Sequence, residues 1–127
     1  MTRSRVNIAV LDDEEPVRRA LERLLRSAGI GVVAFATGVE FLGQLDILKP
    51  DCLILDLHMA DLNGFDVQAK LNELGSQLPV VVITGHDTVE ARTRAENGGA
   101  AAYLLKPVDE RALLDAISEA IARNVSS

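Results

Sequence analysis

Apolar runs alternate along this chain with stretches in which apolar residues recur every three or four positions, and the pair repeats five times. Short apolar runs are typical of buried strands, whereas the longer period is typical of amphipathic helices. The expected strands are Val6–Leu11, Gly31–Phe35, Asp51–Asp56, Pro79–Thr84 and Ala100–Leu105. Because parallel strands need crossover connections, strands that alternate with helices predict an α/β sandwich in which helices cover both faces of a parallel sheet.

Capping and turn residues support a helix after each strand. The expected start signals, in chain order, are Pro16, Thr37 with Glu40, Asn63 with Gly64, Asp87 and Asp109. The third helix is expected to bury Val67, Leu71 and Leu74. The fourth offers only Val89, Ala91 and Ala95 as an apolar face. We therefore expect the fourth helix to bury the least surface and to be the most easily displaced.

Length and composition favour one domain over residues 1–127. The chain has 127 residues, 48% of them hydrophobic, which is enough for a core without disulfides or metals. A formal net charge of -6 argues against direct binding to nucleic acid or to anionic lipid. No run resembles a signal peptide or is long enough to cross a bilayer, so we expect a cytoplasmic protein without membrane contact. The single Cys52 lies in an apolar strand and is expected to be buried and inert.

Polar side chains stand where the predicted strands end, which is the edge at which open α/β sheets bind ligands. They are Asp12, Asp13, Asp56, Thr84 and Lys106. Three carboxylates at one edge repel one another unless a cation lies among them, and Mg²⁺ prefers such oxygen ligands. The alternative is an acidic helix N-terminus that complements the helix dipole, to which Glu14 and Glu15 are assigned.

The same residues suggest phosphoryl chemistry. The first strand-to-helix turn contains no glycine and carries acids, which excludes a phosphate-binding loop. With a metal bound, Asp56 could attack a phosphoryl group while Lys106 and Thr84 stabilise the transferred oxygens. Taken singly, Lys106 could be an exposed strand-end lysine and Thr84 a turn hydroxyl. Their joint position at adjacent strand ends favours the phosphoryl interpretation.

A family resemblance rests on motifs spread over nearly the whole chain. These are the acid pair Asp12 and Asp13, the strand ending in Asp56 with Met59 and Gly64 beyond it, the run Thr84–His86, and the pair Lys106 and Pro107 preceded by Tyr103. On these residues the chain resembles the receiver domains of two-component response regulators. With the pair Gly99 and Ala100, it looks most like receivers of helix-turn-helix transcription regulators of the nitrogen-fixation type. The resemblance implies a flavodoxin-like (βα)5 fold with strand order 2-1-3-4-5.

The resemblance also implies a phosphoacceptor site. Asp56 would take a phosphoryl group from the phosphohistidine of a sensor histidine kinase or a phosphotransfer protein. Asp13, Asp56 and the backbone carbonyl of His58 would bind Mg²⁺ or Mn²⁺ directly, and Asp12 would act through water. Such a domain is a signalling protein rather than an enzyme, although self-phosphorylation and self-dephosphorylation of Asp56 are expected.

A conformational switch is implied by the remaining matches. Lys106 would pair with the phosphate, and the bond between Lys106 and Pro107 is expected to be cis. Thr84 would move onto the phosphoryl oxygens and Tyr103 would rotate inward behind it. This would change the face formed by the fourth helix, the fifth strand and the fifth helix, which a partner or a second copy of the chain would read. The alternative for Tyr103 is a core aromatic with its hydroxyl at the surface.

The loop after the acceptor departs from the family pattern. Ala60 stands where most relatives have proline after Met59, and loss of the fixed proline φ predicts a looser loop. The only two histidines, His58 and His86, lie beside the site. The resemblance implies that these positions influence how long the acyl phosphate survives, which gives the hypothesis that the two histidines modulate water access. The alternative is that they are ordinary surface loop residues.

Two rival functions are weighed against the phosphoacceptor. An aspartate-based phosphohydrolase also uses an Asp nucleophile, a hydroxyl, a Lys and Mg²⁺, but that family has an Asp-x-Asp pattern after the first strand and usually a cap domain. Here Asp12 and Asp13 are adjacent and substrate-binding insertions are absent. A receiver-like module that signals without phosphorylation is the other rival, and the intact set of site residues argues against it.

Overall fold

Strands and helices alternate in the computed structural model, which describes residues 6–126. The strands are β1 Asn7–Leu11, β2 Gly31–Phe35, β3 Cys52–Asp56, β4 Val80–Thr84 and β5 Ala102–Leu105. The helices are α1 Glu15–Ser27, α2 Gly38–Leu48, α3 Gly64–Glu73, α4 Val89–Asn97 and α5 Glu110–Ser126. The five predicted pairs are confirmed. Four predicted strands begin one or two residues too early, because the preceding apolar or turn residue lies outside the ladder.

All neighbouring strands are parallel, in the order β2-β1-β3-β4-β5. The predicted flavodoxin-like order is thus confirmed. The chain moves from β1 to one side for β2 and to the other side for β3, so the carboxyl ends of β1 and β3 flank a crevice. The register brings Asp56 opposite Ile83 and Thr84 opposite Leu105. The last residues of β3, β4 and β5 therefore meet at one edge.

Two hydrophobic layers hold the sheet, because a parallel sheet is covered on both faces and its central strands are apolar throughout. On one face the strands pack against α1 and α5, through Leu21, Leu25, Leu113 and Ile117 among others. On the other face they pack against α2, α3 and α4, through Phe41, Val67, Leu71, Ala91 and Ala95 among others. Every residue of β3 and β4 is buried, including Asp56 and Thr84. Cys52 is buried, as expected.

Several predicted helix caps are observed. Thr37 accepts a hydrogen bond from the backbone N–H of Glu40, and Asp109 accepts one from that of Ala112. Asn63 and Asp66 form a reciprocal capping box at the start of α3. The prediction for α4 was wrong by one residue. Thr88 caps this helix, since its hydroxyl accepts from the N–H of Ala91, whereas Asp87 pairs with Arg92 at 3.3 Å.

Two residues predicted to be apolar contacts are exposed instead. Val89 is 82% exposed, because it begins α4 and points away from the sheet, so the buried face of α4 consists of Ala91 and Ala95. Leu74 is 65% exposed, because α3 ends at Glu73 and the chain turns at Gly75 with a φ of +68°. The small buried face of α4 agrees with the expectation that this helix buries little surface. That α4 is easily displaced stays a prediction. Within residues 6–126, no helix combines the length and apolarity needed to cross a membrane.

Candidate functional site

Three carboxylates lie together at the carboxyl ends of β1 and β3. Asp12 and Asp13 follow β1, and Asp56 is the last residue of β3. Each offers an oxygen within 4.8 Å of the others. Asp12 and Asp56 are 0% and 2% exposed, whereas Asp13 is exposed. The predicted convergence of the acids is therefore observed, with two buried carboxylates and one at the entrance.

Lys106 reaches the same site from the end of β5. Its Nζ lies 2.8 Å from Asp12 Oδ2, 3.3 Å from Asp56 Oδ1 and 3.2 Å from Glu14 Oε1. Burial acts to lower the pKa of Lys106, but the hydrogen bond to Asp12 and the charges of Asp56 and Asp12 outweigh it and raise this pKa. The Lys106–Pro107 peptide bond is cis. The lysine is thus a fixed ammonium between two buried carboxylates.

One lysine does not neutralise this site. Burial, followed by the charge of Asp12, raises the pKa of Asp56 to about 6, although Lys106 acts in the opposite direction. Among the described residues, the second carboxyl oxygen of Asp56, Oδ2, is buried and has no hydrogen-bond partner. A buried carboxylate oxygen without a partner is costly, and oxygen ligands at this spacing suit a hard divalent cation. The residues present therefore fit a magnesium-type ion.

The loop between β3 and α3 packs closely against the acceptor strand. A Cβ added to Gly64 would lie 2.5 Å from the backbone oxygen of Asp56, a distance that side chains do not tolerate. The N–H of Ala60 donates to Asp13 Oδ2 at 3.2 Å. Proline has no such donor. Alanine therefore has two opposing effects on this loop. It removes the φ restraint that proline would impose, but its N–H ties the loop to Asp13.

Thr84 and the two histidines line the rim of the site. Thr84 is buried at the end of β4, and its hydroxyl accepts a hydrogen bond from the N–H of His86 at 3.0 Å. This leaves the hydroxyl proton for another acceptor. His58 and His86 are exposed, and their rings meet edge to face with centroids 5.6 Å apart. The sequence placed both histidines near the site, but their mutual contact comes from the structure.

Tyr103 lies on β5 against the α4 side of the core. The Arg92 guanidinium stacks 4.8 Å from its ring centre, and Arg92 also pairs with Asp87. The phenolic oxygen is buried and has no hydrogen-bond partner among the described residues. Burial, and then the nearby Asp87, raises the pKa of Tyr103. The alternative expectation of a surface hydroxyl was wrong.

Sequence reasoning missed two contributors to the site. Glu14 was assigned to the helix dipole alone, yet its carboxylate contacts Lys106. Its position directly after the acid pair was a signal for this role. Arg18 donates from Nη1 to the backbone oxygen of Asp12 at 2.8 Å. No pattern in the sequence pointed to Arg18, since this contact depends on the path of the β1–α1 turn.

An open parallel α/β sheet with an acid cluster and a lysine at its switch point defines the class of protein. The chain belongs to the response regulator receiver domain family, whose model matches residues 8–118. It is a signalling domain of two-component systems, a class that interacts with sensor kinases or phosphotransfer proteins. The predicted family is thus confirmed.

Individual relatives support this assignment. The response regulator protein TmoT of Ectopseudomonas mendocina is 40% identical over 114 residues, which are 90% of this chain and 52% of TmoT. The transcriptional regulatory protein FixJ of Azorhizobium caulinodans is 32% identical over 117 residues, 92% of this chain and 56% of FixJ. The crystal structure of FixJ-N matches with a TM-score of 0.87 and 30% identity, covering 94% of this chain and 96% of that one. The chain spans about half the length of the curated relatives it matches.

Proposed function

We propose that this domain is a phosphoacceptor and that Asp56 takes a phosphoryl group from a sensor histidine kinase or phosphotransfer protein. A carboxylate oxygen of Asp56 forms a bond to phosphorus while the bond between phosphorus and the donor histidine nitrogen breaks. The released imidazole takes up a proton, and Asp56 becomes an acyl phosphate. The observation that carries this proposal is the buried, unpartnered Oδ2 of Asp56 beside an ammonium and two further carboxylates.

The acids are proposed to hold Mg²⁺, or Mn²⁺, through Asp13, Asp56 and the backbone carbonyl of His58, with Asp12 acting through water. When bound, the ion supplies positive charge that offsets the repulsion between these acids and an incoming phosphoryl group. Asp12 keeps Lys106 in place through their 2.8 Å ion pair. Without such a cation, an anionic donor would meet three carboxylates and one lysine.

Lys106 and Thr84 are proposed to stabilise the transferred phosphoryl oxygens. Lys106 already lies 3.3 Å from Asp56 Oδ1, so a phosphoryl group on Asp56 would enter its reach without a large movement. Thr84 donates the proton of a hydroxyl that presently accepts from His86. His58 and His86 stand at the rim and are proposed to modulate the lifetime of the acyl phosphate by limiting water access.

The switch is proposed to be a two-state equilibrium, because a phosphoryl group shifts populations only if it contacts one state better. Thr84 supplies the differential contact, and Tyr103, whose phenolic oxygen is already buried, shifts further inward as the β4–α4 loop follows Thr84. Arg92, stacked on Tyr103 and paired with Asp87, moves with it. The α4-β5-α5 face then binds a partner or a second copy of the chain.

The biological role is proposed from the same family membership. Residues 1–127 form one receiver domain that controls a transcriptional output, since the relatives include a transcriptional regulatory protein of about twice the matched length. The net charge of -6 favours an output through protein contacts rather than direct nucleic-acid binding by this domain.

Incubation with acetyl phosphate and Mg²⁺, followed by intact mass measurement, tests the phosphoacceptor function. We expect one phosphoryl adduct in the wild type and none in Asp56→Asn, while Asp46→Asn, which changes an exposed carboxylate on α2, keeps the adduct. If no donor produces an adduct, the domain is a phosphorylation-independent interaction module. Steady phosphate release from varied esters would instead support the hydrolase alternative.

A further inference from the structure

The two histidines of the chain form a pair at the rim of the acidic site. His58 lies two residues beyond the end of β3, and His86 lies two residues beyond the end of β4. These strands are neighbours, with Asp56 opposite Ile83, so the two loops leave the sheet side by side. The 127-residue chain contains only two histidines, and the fold places their ring centroids 5.6 Å apart.

The separation of the rings suits a shared metal ion. Imidazole nitrogens bind Zn²⁺ at 2.0–2.1 Å with tetrahedral angles, which places the centres of two imidazoles on one ion about 5 Å apart. The observed 5.6 Å is close to that value. At an angle of 74° the rings meet edge to face, so both side chains must rotate about χ1 and χ2 before each presents a nitrogen to one ion, and their exposure permits this rotation. Both side chains are exposed, so an ion and its remaining water ligands have access.

The two loops are already held in place at the backbone level. The N–H of His86 donates to Thr84 Oγ1 at 3.0 Å, and the N–H of Leu57 donates to the carbonyl of Ile83 at 3.3 Å. The N–H of Ala60 anchors the other side of the first loop to Asp13. Little backbone ordering is therefore required for binding, which reduces the entropy cost of forming a two-histidine site.

We propose that His58 and His86 form a binding site for a zinc-class transition metal ion, separate from the carboxylate cluster below it. Imidazole favours Zn²⁺, Cu²⁺ and Ni²⁺, whereas Mg²⁺ prefers oxygen ligands. The two adjoining sites therefore differ in the metal that each selects. The carboxylates below increase the local concentration of any cation at the rim. An ion on both imidazoles would cross-link the β3–α3 and β4–α4 loops.

Titration with Zn²⁺ by calorimetry tests this proposal, using protein without a polyhistidine tag and a large excess of Mg²⁺ to occupy the carboxylates. We expect one Zn²⁺ per chain with an affinity that weakens at least about tenfold in either His58→Ala or His86→Ala, since even loss of a group supporting a ligand costs about 10–100-fold. The same variants made with Gln check that the effect follows the imidazole. Circular dichroism checks folding, which exposed substitutions should leave intact.

A second readout locates the ion. In NMR spectra, the side-chain resonances of both histidines should shift together and saturate at one equivalent of Zn²⁺. Asp46→Asn, which changes an exposed carboxylate on α2, should retain Zn²⁺ binding. Equal affinity in wild type and either histidine variant would overturn the proposal, as would loss of Zn²⁺ binding in Asp13→Asn with retention in both histidine variants. No phosphodonor is present, so these results are independent of the phosphoacceptor function.

Discussion

Replacing the buried acceptor carboxylate should stabilise the metal-free domain. In Asp56→Asn the shape of the side chain is kept while its charge is removed. Asp56 is 2% exposed, and burial together with Asp12 raises its pKa from 3.8 to about 6 even though Lys106 opposes the change. The folded protein thus binds a proton at this group more tightly than the unfolded chain does, so ionisation of Asp56 opposes folding.

The size of the effect follows from this pKa difference. One pKa unit corresponds to about 1.4 kcal/mol, so ionised Asp56 costs the folded state about 3 kcal/mol above pH 6. The effect of ionisation on folding stability is opposite in sign to that of a salt-bridged carboxylate, whose pKa is lowered on folding. The contribution of Asp56 to stability is complete below pH 3.8 and is lost as the pH rises to about 6. Asp56→Asn lacks this loss, so its advantage should appear only at the higher pH.

Urea unfolding in EDTA at about pH 4 and about pH 7.5 measures the difference. We expect Asp56→Asn to gain about 1–3 kcal/mol at the higher pH and close to nothing at the lower one. Asp46→Asn, at an exposed site on α2, should change stability by less than about 0.5 kcal/mol at both. Added Mg²⁺ should stabilise the wild type more than Asp56→Asn. If Asp56→Asn were less stable than the wild type at the higher pH in EDTA, ionised Asp56 would not be a cost to the folded state.

Three further predictions concern single residues. Burial raises the pKa of the Cys52 thiol to about 12, so at about pH 8 a disulfide reagent should react with the folded protein at least about 100-fold more slowly than with urea-unfolded protein; equal rates would contradict its burial. Ala60→Pro removes the N–H that donates to Asp13 Oδ2. Because this oxygen is then free to bind the ion, calorimetry should show Mg²⁺ binding about two- to tenfold tighter, whereas weaker binding would indicate that the hydrogen bond supports the site. Gly64→Ala places a Cβ against the backbone oxygen ending β3 and should cost about 1–3 kcal/mol in urea unfolding, whereas the control Gly43→Ala, with nothing within 4 Å, should not destabilise.

The layered fold could be predicted from the amino-acid sequence alone, because burial sets the local periodicity of apolar residues. The short apolar run that ends in Asp56 is typical of a strand covered on both faces, and each such run is followed by a stretch with helical periodicity. In a parallel sheet the carboxyl ends of the strands share one edge. Asp12, Asp56, Thr84 and Lys106 could therefore be assigned to a single site from the sequence. The family motifs supplied the strand order.

The pairing of the polar groups, in contrast, followed from the three-dimensional fold and not from sequence patterns. Lys106 contacts Glu14 across 92 positions of sequence, and Ala60 donates to Asp13 across 47. His58 and His86 likewise come together through adjacent loops. Such contacts depend on loop paths and on tenths of an ångström, because a hydrogen bond weakens quickly outside about 3.2 Å. Periodicity reports which side of an element is buried, and it carries no information about the partners that charged side chains find beyond the strand ends.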